Sequence, residues 1–217
     1  MNIEELLKII SGGENLTVEF KQKFSGYEKI AKEMIAFANT SGGLLIFGVR
    51  DNRKILGIES EKEIAELVKE TAEQYCNPPL EYEISFPEIK KKMLALVAIK
   101  PSPNKPHRIE DYKEKLDINT AAVYIRINDK SVLAGKEMIK LMLLRGDDNP
   151  LKKYEFGKNE KAVFRYLENN ETIDAKALSK FANISMRRAS RTLINLVRAN
   201  LLLIHTKDNG ENFFSER

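Results

Sequence analysis

The chain has 217 residues, 42% of them apolar, with a single cysteine, two histidines and a formal net charge of +4. That length suits one large domain or a medium and a small one, and the lone Cys76 excludes an intramolecular disulfide and a cysteine-built zinc site. No run of about 18 apolar residues is present to cross a membrane, and residues 1–10 lack the apolar stretch behind a basic start that marks a secretory leader, so a cytoplasmic protein is expected.

Ile3, Leu6, Leu7, Ile9 and Ile10 follow helical spacing, and Ser11-Gly12-Gly13 ends that helix. Thr17 to Phe20 alternates like a short strand, which puts Glu19 and Lys21 on one face. Residues 27–39 read as an amphipathic helix with Ile30, Met34, Ile35 and Phe37 inside. Ser41-Gly42-Gly43 breaks it before the apolar strand Leu44 to Val49, and Asp51 follows that strand, where ligand groups sit in α/β architectures. Asp51 to Lys54 reads as a hairpin turn, and residues 61–75 as a helix built on Ile64, Leu67 and Val68. Strands are predicted at 82–86 and 93–99 around a charged turn. Residues 101–120 are Pro-rich and aperiodic, the mark of a functional or mobile loop. A strand at 122–127 and a helix at 134–145 close the first domain.

Gly146-Asp147-Asp148-Asn149-Pro150 has linker composition. Beyond it the charge changes, since residues 151–217 hold 13 Lys and Arg against 8 Asp and Glu, while residues 1–150 hold 23 against 24. That excess suits a polyanionic partner, and equally a solvated lysine-rich surface. Three helices are predicted. Val163, Phe164, Tyr166 and Leu167 line the first; Thr172-Ile173-Asp174 starts the second, 174–182; Ser185 caps the third, which runs to about Asn200. In the third, Met186, Ala189, Leu193, Leu196 and Val197 make the buried stripe, opposite Arg187, Arg188, Arg191, Thr192, Asn195 and Arg198. A hairpin follows through Asp208-Asn209-Gly210. This is the order of a winged helix-turn-helix, with Arg187, Arg188 and Arg191 placed to enter a major groove and Lys207 on the wing to reach a phosphate. The same order also serves protein contacts or dimerisation.

In the first domain, Glu14, Glu19, Lys21 and Asp51 are the candidate catalytic residues. Read singly, each is an ordinary turn or strand-edge charge. Read together, three carboxylates beside one lysine repel one another unless a cation sits among them, which implies Mg²⁺ or Mn²⁺ held by Glu14, Glu19 and Asp51. Lys105, His107, Arg108 and Arg126 are candidate contacts to backbone phosphates, although a lone loop histidine is more often incidental; His205, on the wing strand, is read as structural. Gly42-Gly43-x4-Gly48 lacks the lysine and Ser/Thr of a P-loop and precedes a strand, so tight turning and close packing account for it and no cofactor-binding residue is assigned.

The pattern E-x-x-x-x-E-F-K followed by A-F-A-N-T-x-G-G-x-x-x-x-G-V-x-D resembles the signature of the Schlafen AlbA-like domain family. Its residues here are Glu14, Glu19-Phe20-Lys21, Ala36-Phe37-Ala38-Asn39-Thr40, Gly42-Gly43 and Gly48-Val49 with Asp51. Tyr124-Ile125-Arg126 resembles the family's Y-I-R strand, and the likeness covers roughly residues 10–145. It implies a mixed α/β domain and, as in the family's nuclease members, metal-dependent cleavage of transfer RNA, ribosomal RNA or single-stranded DNA, with Glu14, Glu19 and Asp51 in the acidic roles. Eukaryotic nuclease members pair two such lobes and carry a cysteine and histidine zinc site; this chain has one lobe, so a homodimer is expected to supply the second. Shorter microbial relatives join the domain to a winged helix and are described as transcriptional regulators.

The expectation is therefore an α+β protein, with a mixed-sheet Schlafen AlbA-like domain at 1–146, a linker at 147–157 and a winged helix-turn-helix at 158–217. Two functions follow. One is a metal-dependent endonuclease acting on RNA or single-stranded DNA. The other is a DNA-binding transcriptional regulator whose first domain is catalytically silent.

Overall fold

The computed structural model describes residues 2–144 and 156–217; most of the expected linker, 147–157, lies outside them. The elements in chain order are α1 (Ile3–Gly12), β1 (Val18–Lys21), α2 (Tyr27–Asn39), β2 (Gly43–Phe47), α3 (Glu61–Gln74), β3 (Cys76–Asn77), β4 (Glu83–Ser85), β5 (Glu88–Ile89), β6 (Lys92–Met93), β7 (Ala95–Ile99), β8 (Arg108–Ile109), β9 (Tyr124–Ile127), β10 (Lys130–Leu133), α4 (Lys136–Leu144), α5 (Lys158–Leu167), α6 (Ala175–Phe181), α7 (Met186–Arg198), β11 (Leu202–Thr206) and β12 (Asn212–Glu216). The architecture is α+β. It divides into two units, Met1–Leu133 and Ala134–Arg217. Among the described residues, no helix is long and apolar enough to cross a membrane.

The first unit is built on a mixed sheet in the order β1-β2-β7-β4, with β1 and β2 parallel and the other pairs antiparallel. Strand alternation divides its side chains between two cores. Leu45 and Phe47 of β2 and Ala95, Val97 and Ile99 of β7 pack on one face with Ile30, Met34, Ile35, Phe37 and Ala38 of α2 and Ile64, Val68 and Ala72 of α3. Ile46 of β2 and Leu96 of β7 face the other way, onto Leu6 and Ile10 of α1 with Val18 and Phe20 of β1. Each of the larger fully buried side chains contributes about 1.5–3 kcal/mol. Helix α1 opens with a capping box, Asn2 accepting from the Glu5 amide while Glu5 accepts from the Asn2 amide.

Two glycines of the signature are close-approach positions. A Cβ on Gly43 would lie 2.3 Å from the Phe37 ring, and Gly48 turns the end of β2 with φ of +92°. The long loop after β7 is less free than its composition suggests. It contains β8, paired with β3, and Asn39 clamps it by donating to the backbone oxygen of His107 and accepting from the His107 amide, both at 2.8 Å.

The second unit begins earlier than expected. Helix α4, predicted to close the first domain, packs on α7, where Lys140 donates to Ser190 Oγ and Ser190 donates to Glu137. The core of this unit joins Val163, Ile173, Leu178, Ala189, Leu193, Leu196, Leu202 and Phe214. Strands β11 and β12 form an antiparallel hairpin, and Ile173 adds a backbone bridge to Phe214. Asp174 caps α6 and Ser185 caps α7, as their sequence positions predict. The faces of α7 differ from the expectation: Met186 is 51% exposed instead of buried, and Thr192, expected on the polar face, is buried with Ser190 and Ile194.

Candidate functional site: a balanced acidic network and an exposed arginine face

Four elements of the first unit converge on Arg126. Because β1 alternates, Glu19 and Lys21 project together, and Lys21 Nζ donates to Glu19 Oε1 at close range. From β9, Arg126 Nη1 donates to Glu19 Oε2 at 2.9 Å and to Glu33 Oε2 of α2 at 3.3 Å, while Nη2 donates to the Asn15 carbonyl at 2.7 Å. Ser131 of β10 makes a short hydrogen bond to Glu33, whose other oxygen lies 3.7 Å from Lys21. The guanidinium stacks over Phe37 at 4.8 Å from its centroid, and its Nε is a buried donor without a partner. The Arg126 side chain has no exposed surface. Two carboxylates and two cations thus neutralise each other inside the protein.

Glu14 and Asp51 lie at the edge of this network. Glu14 accepts from the Phe20 amide at 2.9 Å. Burial raises its pKa, the amide bond opposes that, and the charges of Glu19 and Asp51 raise it further, while that of Lys21 lowers it. Asp51 itself is exposed in the turn after β2. For Lys21, burial disfavours the ammonium, but the Glu19 hydrogen bond and the charges of Glu19, Glu33 and Glu14 outweigh it and hold the pKa above its ordinary value.

This arrangement answers the repulsion that implied a metal. Both oxygens of Glu19 are already taken by Lys21 and Arg126, and among the described residues no group of three His, Cys, Asp or Glu is placed to hold a metal ion. As it stands, the Glu14, Glu19 and Asp51 set does not fit Mg²⁺ or Mn²⁺. Glu33 and Ser131 join the network without having stood out in the sequence. Glu33 does carry a signal there, because it precedes Phe37 by one helical turn and so shares the face on which Arg126 rests.

The expected phosphate contacts separate into two groups. In the first unit His107, Arg108 and Arg126 are buried. His107 Nδ1 lies 2.8 Å from the Pro78 carbonyl and Nε2 2.6 Å from Ser102 Oγ. Arg108 donates to Asp111 and to the Lys113 carbonyl, and Lys105 donates to the Thr40 carbonyl at 2.8 Å. Placement of Lys105, His107, Arg108 and Arg126 in a surface phosphate site is thereby corrected: His107, Arg108 and Arg126 have almost no exposed surface, and the half-buried Lys105 has its ammonium on backbone oxygen. In the second unit Arg187, Arg188 and Arg191 are exposed at the start of α7, and Lys207 is exposed on the hairpin, 3.6 Å from Glu211 and over the Phe213 ring. His205 faces Ser215 Oγ at 2.9 Å and stacks on Phe213.

A family model described as Schlafen, AlbA_2 matches residues 14–135. A Ureaplasma parvum protein described as an uncharacterized ATP-binding protein is 35% identical over 85 residues, which is 36% of this chain and 24% of the relative. The chain therefore spans about a quarter of that protein. Among solved structures, the N-terminal domain of a RecG-related protein from Nitrosomonas europaea is 21% identical with a TM-score of 0.43, covering 52% of this chain and 81% of that one. The DIP2311 protein from Corynebacterium diphtheriae is 16% identical with a TM-score of 0.48, covering 98% of this chain and 37% of that one.

Proposed function

The chain belongs to the Schlafen, AlbA_2 family, and from that membership we propose that it is a nucleic-acid-binding protein that grips duplex DNA through its second unit, as a regulator does. One observation carries this reading: α7 presents Arg187, Arg188 and Arg191 to solvent in its first two turns, with no acidic residue in the first turn. The helix, its Ser185 cap, the preceding α6 and the following hairpin have the order of a winged helix-turn-helix, in which such a helix enters the major groove and the wing reaches a neighbouring phosphate. A homodimer acting in the cytoplasm, with each copy on one half-site, belongs to the same proposal.

Cleavage of RNA or single-stranded DNA is a second reading, favoured by the mutual electrostatic influence of Glu14, Glu19 and Asp51. It requires Glu19 to leave Lys21 and Arg126, which engage both of its oxygens.

Fluorescence anisotropy against labelled duplexes of differing sequence, with titrated salt, tests the first reading. Binding that selects among duplexes and weakens in Arg187→Ala supports it; equal affinity for every duplex and no effect of the substitution overturns it. End-labelled transfer RNA, single-stranded DNA and duplex DNA, incubated with Mg²⁺, Mn²⁺ or EDTA, test the second. Asp51→Asn is the variant of choice there, because Asp51 is exposed and outside the Arg126 network. Metal-dependent cutting that this variant abolishes would establish the nuclease.

A further inference from the structure

We propose that Ser102 and His107 form a nucleophile and general-base pair beside a small cavity in the first unit, giving this protein hydrolytic activity on short-chain carboxylic esters. The pair is independent of the arginine face of α7 and shares no residue with it.

The pair is held from the backbone outward. The Ser102 amide donates to the Ala38 carbonyl at the end of α2 at 2.9 Å, and the Asn39 side chain grips both backbone polar groups of His107. The imidazole is then fixed at both ring nitrogens. Its Nδ1 lies 2.8 Å from the Pro78 carbonyl oxygen, which can only accept, so Nδ1 carries the proton and Nε2 keeps a lone pair. That lone pair is 2.6 Å from Ser102 Oγ, so the hydroxyl donates to it. Burial, with the charge of Lys105, pushes the His107 pKa below 6.5 and leaves the ring neutral at pH 7, although the Pro78 hydrogen bond opposes this. These are the tautomer, protonation state and distance that a general base needs.

Access is one-sided. His107 is 3% exposed, whereas Ser102 is only half-buried, and both line a cavity of about 330 Å³ with Pro79, Leu80, Tyr82 and Ala98 on one part of its wall and the ion-paired Glu83 and Lys100 on its rim. Ser102 Oγ also accepts from the Asn104 amide at 3.0 Å. The volume and the apolar part of the wall suit an acyl group of a few carbons.

In the reaction, Ser102 Oγ bonds to the ester carbonyl carbon and its proton passes to His107 Nε2. The ester C–O bond then breaks, and the leaving alcohol takes that proton. Water repeats the two transfers, releasing the carboxylic acid and restoring Ser102. Because a backbone carbonyl orients the imidazole where a carboxylate would stabilise the imidazolium more strongly, turnover is modest. Covalent trapping is therefore a better readout than rate alone.

The full chain is incubated with a fluorophosphonate probe, followed by intact mass and peptide mapping, from pH 5 to 8. The expected result is one label per chain on Ser102, none in Ser102→Ala, and a labelling rate that falls as the pH drops and His107 takes up a proton. His107→Gln slows labelling about 100-fold. Should that variant not fold, the pH profile of the unaltered protein supplies the same information. An unlabelled Ser102 in the unaltered protein, or a rate that follows hydroxide alone, overturns the proposal.

Discussion

In the first unit two arginines turn inward, Arg126 with no exposed side-chain surface and Arg108 nearly so, each against a carboxylate and a backbone carbonyl, while Arg50 and Arg53 stay exposed. In the second unit Arg187, Arg188 and Arg191 stand in solvent at the head of α7. The difference lies in what the neighbouring elements supply. Around Arg126, β1 and α2 bring Glu19 and Glu33, so the cation cancels charge the fold has already buried. Around α7, Glu137 and Lys140 of α4 bond to Ser190 on the buried side of the helix, and Arg187, Arg188 and Arg191 stay exposed. A buried ion pair is weak evidence of net stability, yet removing one partner leaves the other charge stranded.

The largest expected effect breaks the inward half of that contrast. Arg126→Met leaves Glu19 and Glu33 to share Lys21 in place of two cations and should cost about 3–5 kcal/mol in urea unfolding; an unchanged midpoint would return Arg126 to the surface. The double variant Arg187→Ala/Arg191→Ala should leave stability within about 0.5 kcal/mol. It should also weaken binding to every duplex and reduce the slope of log affinity against log salt by about 0.9 for each phosphate no longer neutralised. Ser185→Ala removes the hydroxyl that accepts from the Arg188 amide and should cost about 1 kcal/mol, read as thermal unfolding of the second unit.

The smallest effect concerns Glu14, whose carboxyl is held above its ordinary value of 4.5 by burial and by Glu19 and Asp51. An acid whose pKa rises on folding is destabilising when ionised, so Glu14→Gln should be more stable than the unaltered protein at pH 7. That gain should shrink as pH falls through the folded pKa and vanish below 4.5. A gain that persists at pH 3 would assign it to something other than charge.

Period and capping residues locate α1, α2, α3, α6 and α7 closely, because burial of a helix face and satisfaction of its first amides are local demands. The strands β1, β2, β7 and β9 are equally readable. Less readable is the stretch 101–120, whose composition says loop while its backbone is fastened by Asn39 and β3. Helix α4 has the right period but no local mark to say which unit its apolar face joins.

The sequence by itself determined the helical and strand periods, the caps, the placement of Glu19 beside Lys21 and the family signature, all of which depend on spacing within a few residues. Only the tertiary structure decided that Arg126, 107 residues from Glu19, closes on it, that Glu33 and Ser131 complete the network, and that Ser102 meets His107 beside a cavity. Those pairings depend on strand order and register. A cation's partner, and hence whether a carboxylate cluster is left with charge to offer a metal, is set by which distant segments the fold lays side by side.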